Sequence, residues 1–213
     1  MINGLEKVFL AGGGNEVDSK AIDDRFVQVI NEKCLNGIGY IPLAQNSEKH
    51  QSGFDWFRTT FSGRVGKIEM LDVVSRITVG DLHNIGSVYI GGGDTIRLMT
   101  RLREQGFDAV LSQFIREGGL VYGGSAGAII LGKSLLTAPE SSNYNIDDFS
   151  GLNLLSGYSI ACHYSQEYRD RYVEIAKRIN GSIIAISEKS GVLFDGNEFE
   201  IIGDKIVDLL DVN

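Results

Sequence analysis

The sequence predicts an α/β protein: a mostly parallel β-sheet with helices on both faces and antiparallel hairpins at the carboxyl end. Three observations predict it. Short apolar runs alternate with segments of helical spacing along the chain, the pattern of strand–helix–strand crossovers. Gly-rich turns follow the runs that end at Ala11, Ile90 and Tyr122, where strands hand over to helices. The last stretch loses helical spacing and carries two turn signals, Asp195-Gly196-Asn197 and Gly203-Asp204, between strand-like runs.

Each element follows in order. Residues 7–11 form a first strand closed by Gly12-Gly13-Gly14, and over residues 18–34 Ile22, Phe26, Val29 and Ile30 share one helical face. Residues 38–43 are a second strand, and residues 50–61 a helix with Phe54, Phe57 and Phe61 along one side. Residues 67–73 are a third strand, after which Thr78 caps a short helix to residue 85. The strand 87–90 ends in Gly91-Gly92-Gly93-Asp94-Thr95 and is followed by helices over 96–105 and 107–117. Residues 120–122 are a strand, and 133–137 and 158–163 read as two more. A helix over 166–179 precedes closing strands at 183–187, 192–194, 199–202 and 206–210, the last ones joined by hairpin turns. In such sheets the site lies at the carboxyl ends of the strands. The three Gly-rich turns are therefore expected to open onto one edge.

Composition narrows the function. A chain of 213 residues with 43% hydrophobic content suits a single folded domain over 1–213. A net charge of −8 speaks against nucleic acid, whose phosphates need a basic face. Residues 1–7 lack the basic and apolar regions of a signal peptide, and no apolar run approaches a membrane span. A cytoplasmic protein without membrane contact is expected. Cys34 and Cys162 are too few for a disulfide framework and form no metal pair. No histidine–carboxylate ligand cluster stands out, so neither metal nor other cofactor is expected.

Gly123-Gly124-Ser125-Ala126-Gly127 fits G-x-S-x-G, the turn that holds a serine hydroxyl at the top of a sheet. Its small neighbours permit the tight backbone such a turn requires. A serine nucleophile needs a base, and the chain offers His50, His83 and His163. His50 lies in a polar stretch and His83 on a short amphipathic helix, whereas His163 ends a strand on the rim that carries Ser125. Adjacent Cys162 points to the opposite face, into the core. For the acid that orients the imidazole, the carboxylates between Ser125 and His163 are Glu140, Asp147 and Asp148. Glu140 is favoured for its place at a strand exit after Pro139, with Asp147 the alternative. An oxyanion hole would draw on the N–H of Ala126 and one from Gly91-Gly92-Gly93.

The GGGDT turn at 91–95, the GGSAGA elbow at 123–128 and the strand ending in His163 together resemble the peptidase E family of serine peptidases, family S51, to which cyanophycinase also belongs. The likeness runs from the first strand to the last hairpins. It implies a class I glutamine amidotransferase-like (flavodoxin-like) fold, a Ser125–His163 pair and an acid on or near Glu140. It points to Gly92 as the oxyanion donor beside Ala126. It also implies a substrate-binding arginine after the histidine, at Arg169 or Arg171. The segment from His163 to Arg169 is short, so strict aspartyl specificity does not carry over. The expected protein is a cytoplasmic, dipeptidase E-like serine peptidase, monomer or homodimer, acting on small peptides. Another acyl hydrolase, esterase or amidase, and a non-catalytic small-ligand module are the alternatives.

Overall fold

Alternating side chains along the strands build the centre of the molecule. The computed structural model describes residues 7–204 and 206–211. Its first strands are β1 (Val8–Ala11), β2 (Gly37–Ile41), β3 (Lys67–Met70), β4 (Gly86–Ile90) and β5 (Leu120–Gly124). Val8, Leu10, Val88, Ile90 and Val121 enter one core, while Phe9, Ala11, Tyr40, Tyr89 and Tyr122 enter another on the opposite face. A sheet covered on both faces explains why these strands read as nearly continuous apolar runs.

The helices divide accordingly. α1 (Lys20–Glu32) and α2 (His50–Phe61) place Phe26, Phe57 and Phe61 in the aromatic core. α3 (Val79–Ile85), α4 (Thr95–Glu104), α5 (Phe107–Arg116) and α6 (Ala126–Leu131) feed the aliphatic core on the other side. Thr78 and Asp81 cap α3 reciprocally, as its sequence predicts.

Two sheets result. The remaining strands are β6 (Ser159–Ala161), β7 (Ile183–Ile186), β8 (Ser190–Phe194), β9 (Phe199–Gly203) and β10 (Val207–Leu210). The seven-stranded sheet has the order β3-β2-β4-β5-β1-β8-β9, parallel from β3 to β1 and antiparallel at the β8–β9 edge. A three-stranded sheet, β10-β7-β6, stands beside it and packs α7 (Arg169–Ile179) through Tyr172 and Ala176. The turn after β1 is the seam between the sheets. Gly12 N–H donates to Ser190 O, and Gly12 O accepts from His163 N–H at 2.8 Å.

Two expected elements differ. The strand expected at 133–137 is a 3₁₀ turn at Leu135–Thr137, because Ser134 Oγ accepts from Leu136 N–H and turns the backbone. The final hairpin does not close on β9. β10 instead pairs antiparallel with β7, because Leu210 gains a buried place in the small core and Ile206 N–H finds Ser190 Oγ. Of the stretch read for a leader, residues 1–6 lie outside the described residues. No helix among the described residues is long and apolar enough to cross a membrane.

Candidate active site

The three Gly-rich turns meet where the sequence predicts, around a crevice of about 370 Å³ at the carboxyl ends of β1, β4 and β5. Ser125 stands at its edge with φ 48° and ψ −107°, a conformation that costs a non-glycine residue energy and persists only where packing over-determines it. Packing does so here. Ser125 N–H donates to Ala11 O at 3.1 Å, and the whole of α6 behind it is buried. A Cβ on Gly127 would lie 2.3 Å from Ile90 O, so only glycine lets the elbow approach β4 this closely. Cys162 sits beneath, buried, with Sγ 3.5 Å from Ser125 O. Burial pushes its thiol pKa up, so it is held as an inert thiol.

His163 comes from the other sheet, two residues past β6, and also has a left-handed backbone, φ 53°. Its Nε2 lies 2.8 Å from Ser125 Oγ, and its Nδ1 lies 2.8 Å from Glu188 Oε1. An ionised carboxylate only accepts, so the proton on Nδ1 faces Glu188 and Nε2 is free to accept from the serine. Gly13 backs the ring: a Cβ there would fall 2.3 Å from His163 Cε1, and its φ of +114° suits glycine alone.

Gly92 packs against Ser125. A Cβ on it would be 3.4 Å from Ser125 Cβ and 4.0 Å from Oγ. Ala126 N–H begins α6, where the first N–H groups have no intrahelical acceptor. The far wall of the crevice is aromatic and polar, with Tyr40, Tyr89, Trp56 and Gln45. Lys49 is the one charged side chain of this lining among the described residues. Under the floor, Tyr122 Oη and Ser19 Oγ donate to buried Asp23 at 2.7 and 2.8 Å. Burial raises the Asp23 pKa against the opposing pull of these bonds.

Glu140 is placed elsewhere than the sequence predicts. Its Oε1 accepts from Thr95 N–H at 2.6 Å, at the start of α4. The reason is the missing strand: the 3₁₀ segment Pro139–Asn143 carries Glu140 to α4 rather than to the imidazole. Asp147 is exposed, and Asp148 accepts from Ser150 Oγ and N–H, which hold its carboxyl below the usual range with a smaller contribution from Arg103. Arg169 is exposed at the start of α7 and does not line the crevice, and Arg171 lies over the Tyr172 ring. His50 is buried rather than solvated, with Nε2 3.3 Å from Gln45 O, and His83 pairs with Glu117 on the surface. Glu188 lies beyond the interval from Ser125 to His163 in which the sequence predicts the acid. The signal that marks it is its position: a carboxylate just past the end of β7, the parallel neighbour of the strand that leads to His163. Among the described residues no group of three His, Cys, Asp or Glu side chains is arranged to hold a metal ion.

Comparison with known proteins identifies the family. The family model of peptidase family S51 matches residues 8–202. An uncharacterized peptidase of Pasteurella multocida is 28% identical over 182 residues, 82% of this chain and 84% of that protein. Peptidase E of Shewanella denitrificans is 25% identical over 134 residues, 58% of this chain and 57% of that protein. The crystal structure of a peptidase from an acI-B1 Actinobacterium covers 97% of this chain and 91% of its own, with a TM-score of 0.74 at 18% identity, a likeness of fold.

Proposed function

The chain belongs to peptidase family S51, and from that premise we propose that it is a serine peptidase cleaving short peptides through an acyl-enzyme, with Ser125, His163 and Glu188 as its triad. The observation that carries this reading is the unbroken relay Ser125 Oγ–His163 Nε2 and His163 Nδ1–Glu188 Oε1, each link 2.8 Å. Ser125 Oγ attacks the peptide carbonyl carbon while His163 Nε2 takes its proton. The charge that develops on the carbonyl oxygen is met by the N–H groups of Gly92 and Ala126. Glu188 holds the imidazole in the accepting tautomer and stabilises its charged form. His163 then gives the proton to the leaving amine, and water repeats the sequence on the acyl-enzyme. The crevice volume of about 370 Å³ suits a substrate of a few residues. Since Arg169 stands outside the crevice lining, the reading includes no strict preference for amino-terminal aspartate.

A fluorophosphonate probe and a dipeptide panel test it together. The wild-type chain is expected to label at Ser125 and to hydrolyse dipeptides, and Ser125→Ala to do neither. A wild-type chain that resists the probe and cleaves no peptide would overturn the reading.

A further inference from the structure

We propose that Glu140 is a positioning residue: with Tyr144 it fastens the start of α4, and through it the Gly91–Gly93 turn, so that Gly92 N–H stays aimed at the oxyanion. This inference rests on the serine peptidase reading. The turn needs outside support, because three successive glycines have no side chains to brace them and Gly93 has φ +141°. One side is held by the loop after β2. Gln45 Nε2 donates to Gly92 O at 2.8 Å, and Asp94 N–H donates to Ala44 O at 3.1 Å.

The other side is held by the segment that follows the elbow helix. Tyr144 Oη donates to Asp94 Oδ2 at 2.5 Å, while Asp94 Oδ1 caps α4 by accepting from Arg97 N–H. Glu140 takes Thr95 N–H, one of the donors that a helix start leaves without an intrahelical acceptor. Thr95 is 1% exposed, so with Glu140 in place its N–H depends on the carboxylate rather than on solvent. A negative group at a helix N-terminus is also favoured by the helix dipole. The connection matters because an oxyanion donor works only within about 3 Å of the developing charge. A shift of about 1 Å in a positioning element can cost about 10²-fold in rate.

The test compares Glu140→Ala, Glu140→Gln and Tyr144→Phe with wild type in dipeptide hydrolysis. Glu140→Ala is expected to lower kcat by about 10- to 100-fold, with KM within about threefold, because the loss falls on the transition state. A peptide aldehyde, which forms an oxyanion on Ser125, is expected to bind Glu140→Ala more weakly by a comparable factor. Glu140→Gln keeps an oxygen for Thr95 N–H and is expected to restore kcat to within about fivefold of wild type, the size of losing charge assistance from one hydrogen bond. The pH profile of kcat/KM is expected to stay in place in all three variants, since the imidazole keeps Glu188. Wild-type kcat in Glu140→Ala overturns the proposal. So does equal inactivity of Glu140→Ala and Glu140→Gln with a displaced pH profile, which would make Glu140 the partner of the imidazole. If Glu140→Ala fails to fold, Tyr144→Phe decides: a kcat reduced by about three- to tenfold at unchanged KM supports the clamp, and an unchanged kcat overturns it. A wild-type chain that neither labels nor hydrolyses fails the peptidase reading itself, and the inference falls with it.

Discussion

The two halves of the candidate site are built differently. Ser125 and the Gly91–Gly93 turn belong to the seven-stranded sheet, where α6 is wholly buried and the elbow is wedged against β1 and β4. His163 and Glu188 belong to the small sheet and stand in the open, with side chains 41% and 53% exposed. Both halves hold a non-glycine residue at positive φ, but the first does so behind a packed core. In the second, the imidazole relies on two hydrogen bonds and a glycine behind the ring. The contrast teaches that the serine's position is a packing property, whereas the proton relay is an alignment that solvent reaches and screens.

The largest effect should come from breaking the joint between the halves. Ser125→Ala and His163→Ala act on one unit, so each is expected to cost on the order of 10⁶ in kcat. Either variant keeping more than a tenth of wild-type turnover would sink the joint assignment. Glu188→Gln measures how much the exposed half depends on electrostatics. A buried triad acid is worth about 10⁴ on this substitution. With Glu188 half exposed, the expected loss in kcat is smaller, about 10² to 10³, because solvent weakens the carboxylate's hold on the imidazolium. A loss beyond 10⁴ would show that the site closes around Glu188 during turnover.

Gly13→Ala probes the alignment without replacing a reacting group. Its Cβ would enter the imidazole ring, and its φ is unsuited to alanine. A kcat loss of about 10², the scale of a 1 Å misplacement, is expected while fluorophosphonate labelling slows in proportion. Unchanged labelling would mean that the ring has room to give way.

Smaller effects belong to the crevice wall. Lys49→Ala is expected to raise KM for Asp-Leu by about two- to fivefold, the worth of an exposed charge contact, and to leave Ala-Leu alone. Arg169→Ala should change neither substrate. The reverse pattern would return the substrate carboxylate to α7.

The smallest is a pH effect under the main sheet. Burial raises the Asp23 pKa above its ordinary value of 3.8, so the folded state holds that proton more tightly than the unfolded chain does. The resulting stability is fully present below the ordinary value and is lost as pH rises through the raised one. Asp23→Asn removes that slope, so its Tm minus the wild-type Tm is expected to grow between pH 4 and pH 7. A flat or falling difference in thermal melts would contradict it.

Much of this was legible in the sequence. Continuous apolar runs such as Val8–Ala11 and 3.6-period faces such as Ile22, Phe26, Val29 and Ile30 state their own burial, because side-chain direction is set by local backbone geometry. The elbow at Ser125 and the Gly91–Gly93 turn are likewise local, since small residues are required wherever the backbone must pass this tightly. The carboxylate that meets His163 is not local in sequence. Glu188 reaches His163 across 25 residues because β6 and β7 pair in parallel and end side by side. Glu140, nearer the elbow in sequence, is carried by a 3₁₀ segment to the start of α4. The last strand also read as a hairpin partner of its neighbour, and packing of Leu210 against the small core sent it to β7 instead. The sequence by itself determined the elements, the nucleophile's turn and the strand-end histidine, since these follow from residues within a few positions of one another. Which carboxylate meets the imidazole was decided only by tertiary structure, because that contact depends on how two sheets join at a glycine seam, and no spacing along the chain encodes it.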